Sequence, residues 1–67
     1  MTKEIANYIV YSIEEYKRQK NLDGRTVVEI FRKNKIFDFI EKYYESLHTG
    51  SSENLILDID QLLSNAQ

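Results

Sequence analysis

The chain has 67 residues, a formal net charge of −2, one histidine and no cysteine, and 42% of it is apolar. Such a length makes one domain that buries only about 60% of its unfolded surface, with no cysteines for a disulfide or a structural zinc site. Most enzyme mechanisms need a nucleophile, a base and a group that orients them, so this composition points away from an enzyme, and it suggests no cofactor and no metal site.

The start, Met1-Thr2-Lys3-Glu4, lacks the basic residues and long apolar run of a secretory signal. No stretch approaches the apolar length of a membrane span. A chain without cysteine agrees with a reducing compartment, and the expectation is a cytoplasmic protein with no membrane contact.

The first segment predicts a helix over 3–20. Ile5, Ile9, Ile13 and Tyr16 recur at helical spacing and share one face, which Ala6 and Val10 widen. Thr2 is suited to the N-cap, and Lys17, Arg18 and Lys20 to the negative end of the helix dipole. Asn21 is a candidate left-handed stop. The run Asn21-Leu22-Asp23-Gly24 reads as a turn.

Asp23 then caps a second helix over 24–34, whose apolar edge is Val27, Ile30 and Phe31, with Val28 beside it. Asn34 is the expected break. A third helix is predicted over 36–47. Its stripe of Ile36, Ile40, Tyr43, Tyr44 and Leu47, flanked by Phe37 and Phe39, is wide enough to bury more than one side. His48-Thr49-Gly50-Ser51-Ser52 reads as a loop.

The last segment admits two readings. Ser51 or Ser52 caps a helix containing Leu55, Ile59, Leu62 and Leu63, or residues 54–57 are extended and Asp58 caps a shorter helix. The residues 64–67 are expected to fray. The fold class is therefore all-α: residues 1–67 form a single compact bundle of three to four short helices.

Candidate sites are few. His48 reads as a helix cap rather than a ligand. Asp58 and Asp60 are two apart, so on a helix they point in different directions. Tyr8 and Tyr11 lie off the apolar stripe of the first helix. Either they pack at the edge of the core or they form an interface, where tyrosine offers an apolar body and a polar tip.

Charge is segregated along the chain. Residues 17–35 carry seven cations against Asp23 and Glu29, net +5, whereas residues 36–67 are net −5. Solvated helix faces account for this pattern. The sharper alternative is a nucleic-acid surface made of Lys17, Arg18, Lys20, Arg25, Arg32 and Lys33. The third helix, however, is acidic and apolar, which is wrong for a major groove.

The runs Ile13-Glu14-x-Tyr16-Lys17, Leu22-x-Gly24, Val28, Phe31, Ile36-Phe37, Tyr44, Leu47-His48-Thr49 and Asp58-Ile59-Asp60 resemble an uncharacterised bacterial family, domain of unknown function thirty-seven ninety-one. The resemblance covers about residues 5–63, and the chain departs from the family around 49–52. It implies a small protein often encoded beside larger proteins of ADP-ribosyltransferase-like type, an arrangement similar to a toxin and its neutralising partner. It supplies no catalytic residues.

Together these readings point to a non-enzymatic protein-binding module, antitoxin-like or regulatory, that covers a site on a larger bacterial or phage protein. The candidate partner-binding residues are Tyr8, Tyr11, Tyr43, Tyr44, Asp58 and Asp60. Nucleic-acid binding through the basic segment is the alternative. A self-associating structural protein, a homo-oligomer whose short core is completed across a twofold axis, is the third reading.

Overall fold

A computed structural model describes residues 1–65. Its elements are α1 (Lys3–Lys20), α2 (Gly24–Lys33), α3 (Ile36–Lys42), α4 (Tyr44–Leu47) and α5 (Ser52–Asn65). The fold is all-α, with four helices of seven or more residues and the single turn of α4. The long α1 packs against α2, α3 and α5.

The ends of α1 follow local chemistry. The Thr2 hydroxyl accepts the Ile5 amide at 3.2 Å. At the other end Asn21 adopts the left-handed conformation, φ 55° and ψ 48°. The Leu22 amide then reaches back to the Lys17 carbonyl at 3.1 Å, the 6→1 bond that closes many helices. Asp23 caps α2 by accepting the Thr26 amide at 2.7 Å. Hydrogen bonding from Thr26 holds the Asp23 carboxyl below its ordinary value.

Asn34 ends α2 by folding its side-chain amide onto the Ile30 carbonyl at 2.9 Å. The reversal into α3 falls on Lys35, at φ 60° and ψ 33°. A lysine there bears the steric strain that glycine avoids.

The core consists of Ile9, Tyr16, Val27, Phe31, Ile36, Ile40, Leu47, Leu55, Ile56 and Ile59. Phe31 sits at its centre, edge-on to Tyr16 at 5.4 Å and to Phe37 at 5.7 Å, and so joins α1, α2 and α3. The buried stripe of α1 includes Ser12, which the apolar pattern misses. Its hydroxyl is satisfied by the Tyr8 carbonyl at 2.8 Å, so a polar group is buried without an orphan donor. Val10 does not widen the stripe: it is 59% exposed. It stands about 100° around the helix from Ile9.

One expectation changes and one open alternative is resolved. The helix expected over 36–47 is broken at Tyr43, φ −109° and ψ 20°. The break turns α4 toward α1, where the Tyr8 hydroxyl donates to the Leu47 carbonyl at 3.2 Å. The final segment takes the longer-helix reading. Ser51 accepts the Asn54 amide at 3.1 Å, and residues 54–57 are helical. Ser64 and Asn65 belong to α5, while residues 66–67 of the expected frayed end lie outside the described residues.

Candidate protein-binding surface

The tyrosines separate into two groups. Tyr8 and Tyr11 project from one flank of α1, their rings 5.5 Å apart. Tyr44 of α4 meets Tyr8 edge-on, also at 5.5 Å. His48 stacks on Tyr44 at 4.5 Å with ring planes 8° apart, and its Nδ1 lies 2.9 Å from the Tyr44 carbonyl. The histidine thus ends α4 in the capping role expected of it. Tyr8 and Tyr44 are half-buried, and Tyr11 is 43% exposed. Burial, then the neighbouring Tyr11, Tyr44 and Asp58, push the Tyr8 phenol above its ordinary value.

Tyr43 faces elsewhere. The bend after α3 sends its ring onto Phe39 at 5.2 Å, with the Lys42 ammonium 5.4 Å from the ring centre. Tyr43 remains 46% exposed and lines a hollow of about 340 Å³ between the α3–α4 bend and α5. A second hollow of about 500 Å³ adjoins it and runs toward Gly50 and Leu57. The two share Ser46, Leu47, Asp58 and Gln61. They form a groove with apolar walls from Phe39, Leu47 and Leu62 and an amide-rich rim.

Among the described residues Asp58 is the one carboxylate that lines both hollows. Among the described residues it makes no ion pair. Asp60 is committed differently. One of its oxygens accepts the Tyr16 hydroxyl at 2.8 Å, and the other meets the Lys20 ammonium at 2.6 Å. Burial, then this bond and the carboxylate charge, push the Tyr16 phenol up to about 12. Asp60 therefore latches α5 to α1.

Most of the basic candidates are also engaged. Lys17 pairs with Glu14 at 3.4 Å, Arg18 with Glu15 at 2.6 Å, and Arg32 with Glu29 at 2.6 Å. Arg25 and Lys33 make no ion pair among the described residues and line a shallow hollow on α2, with Glu29 between them. Glu14 and Glu15, just outside the segment, and Asp60 of α5 thus offset three of its five net positive charges. Among the described residues no group of histidines and carboxylates is arranged to hold a metal, and no helix is long and apolar enough to cross a membrane.

A family described as "Protein of unknown function (DUF3791)" matches residues 7–66. The chain belongs to the DUF3791 family. No curated protein and no solved structure gives a significant match. The runs that resembled DUF3791 in the sequence are chiefly architectural here. Phe31, Ile36 and Ile59 are fully buried, Tyr16 and Leu47 nearly so, and Tyr16 and Asp60 are the two ends of one hydrogen bond. Asp58 is the charged residue of those runs that faces the groove.

The sequence reading placed Tyr43 and Asp58 among the candidates, and they line one hollow. Tyr8, Tyr11 and Tyr44 form a second, adjoining cluster that meets the groove at Leu47. Asp60 joins neither. Leu57, Ser46 and Gln61 were missed. Leu57 carried a usable signal, because it lies off the stripe of Leu55, Ile59 and Leu62. It is 64% exposed.

Proposed function

We propose that this chain is a small non-enzymatic module that binds another protein. In its most concrete form it is an antitoxin-like or regulatory partner that covers a site on a larger bacterial or phage protein in the cytoplasm. The mechanism is steric: the surface of the module occupies a cleft that substrate would otherwise enter.

The observation that supports this reading is the groove beside α5. It exposes an apolar floor in a chain that has little apolar area to spare, and it is bordered by Tyr43 and Leu57, both large and open to solvent. Exposed apolar surface rimmed by polar groups is characteristic of interaction sites. Tyrosine at such a rim adds contact area at small entropic cost.

The test is capture of partners by the tagged whole chain from its native host, after nuclease treatment. One stoichiometric protein that survives nuclease supports the reading. Recovery of nucleic acid alone, or of proteins that disappear with nuclease, would overturn it in favour of Arg25 and Lys33. Recovery of the chain alone would favour self-association.

A further inference from the structure

The groove has a shape and a charge that restrict what can fill it. Its first hollow, at about 340 Å³, falls at the lower end of the ~300–1,000 Å³ common for ligand sites. Its floor is side chain rather than free backbone. Leu47 and Leu62 supply apolar surface, and the Leu47 carbonyl is taken by the Tyr8 hydroxyl and the Gly50 amide. The same Tyr8 bond fixes α4, so the wall of the groove is set before anything binds.

An extended peptide is a poor occupant. The rim amides of Asn54, Gln61 and Asn65 would pair with only part of its backbone, and the rest would lie unpaired against Phe39, Leu47 and Leu62, where desolvation without partners is costly. The described residues form no strand, so no sheet edge is present to pair with it. A helix satisfies its own backbone and presents side chains alone.

Charge narrows the choice further. Asp58 stands on the shared wall of both hollows and, among the described residues, has no cation of its own. A neutral or acidic occupant would desolvate that carboxylate without compensation. An occupant carrying a lysine or arginine would pair with it, and Ser46 and Gln61 stand beside it to complete the hydrogen bonding.

We infer that the groove between α4 and α5 seats one face of an amphipathic helix from another protein, with apolar residues at helical spacing and a lysine or arginine that meets Asp58. The inference rests on the protein-binding reading above and adds the chemistry of the partner to it.

The probe is a pair of acetylated, amidated peptides of about 16 residues, a length with some helicity in water. Each carries leucines at i, i+4 and i+7. One has lysine and the other glutamate on the flank of that stripe. Binding is read by amide chemical-shift changes in the whole chain. The lysine peptide should bind at least tenfold tighter than the glutamate peptide and shift Ser46, Leu47, Asp58 and Gln61. In Asp58→Lys the preference should reverse, because opposite charge now favours glutamate. Asp58→Asn should abolish the preference and leave the unbound spectrum otherwise intact, which shows that folding is not the cause.

Binding of neither peptide, equal binding of both, or shifts confined to α2 would overturn the inference. So would a dimer of the free chain in sedimentation that Asp58→Lys dissociates, since that assigns the groove to a second copy. If the peptides fail while whole-chain capture still recovers a host protein from Asp58→Lys, the inference falls and the protein-binding reading stands. If capture fails as well, both fall.

Discussion

Tyr16→Phe removes one oxygen from the latch between α1 and α5 and leaves the ring to pack on Phe31. The Tyr16 side chain is buried and its hydroxyl donates to Asp60 at 2.8 Å. A hydrogen bond to a charged acceptor contributes about 1.5–3 kcal/mol. Asp60 keeps Lys20 and its side chain is 34% exposed, so water can replace the lost donor and the low end applies. We expect a loss of about 1.5 kcal/mol at neutral pH, or roughly 6–12 °C in Tm for a domain this small.

The alkaline range gives an independent check. The Tyr16 phenol is pushed up to about 12 from an ordinary 10.0. A raised phenol favours the neutral form in the fold, so its contribution is complete below pH ~10 and is lost as pH rises from ~10 to ~12. Two units correspond to about 2–3 kcal/mol. The wild type should therefore lose stability more steeply than Tyr16→Phe across that window, while lysine deprotonation affects both alike. Urea unfolding followed by circular dichroism, from neutral pH to about 11.5, measures this difference. Absorbance at 295 nm should show Tyr8 and Tyr16 titrating late, with the Tyr16 step, the one near 12, missing in the variant. Stabilities within about 0.3 kcal/mol at neutral pH, smaller than any ordinary hydrogen bond, or parallel losses through the alkaline range, would refute the latch.

Three further outcomes are expected. Ile59→Ala, at a fully buried site on α5, should cost about 2–5 kcal/mol; a small core often yields only ~3–5 kcal/mol in total, so circular dichroism should show a largely unfolded chain at 37 °C. Lys35→Gly should stabilise by about 0.5–1 kcal/mol in urea titration, because glycine relieves the left-handed strain at φ 60°. Arg32→Ala should change stability by less than about 0.5 kcal/mol, since its pair with Glu29 is at the surface, and thermal melts at low and high salt should coincide for the two proteins.

Local signals carried most of the architecture. Thr2, Asp23 and Ser51 act as caps because each places an oxygen within reach of an amide three residues on, and such caps are written in residue type and position. Asn21 stopped α1 for the same kind of reason. What escaped the sequence depends on contacts between distant segments. The break at Tyr43 reflects the docking of α4 on Tyr8, thirty-nine residues from Leu47. The left-handed residue after α2 is Lys35, a type that gives no warning.

The candidate surface was less legible. The pattern places Tyr43 in the apolar stripe of the third helix, yet the fold leaves it 46% exposed and lines one hollow with it and Asp58. Asp60 looked equivalent to Asp58 in the sequence. Only the packing of α5 on α1 separates them, because one position of the helix faces Tyr16 and the other faces the groove. The basic segment looked like a patch because net charge ignores spacing, whereas the partners of Lys17, Arg18 and Arg32 are acids one turn away on the same helices.

The most direct test of the central claim is photocrosslinking in the native host. A benzoylphenylalanine replaces Leu57 at the rim of the groove in one strain and Val28 on α2 in another; both positions are exposed, so neither replacement disturbs the core. The account predicts one discrete crosslinked protein from position 57, lost in the Asp58→Lys background, and none from position 28. Crosslinks from position 28 alone, or none from position 57, would contradict it.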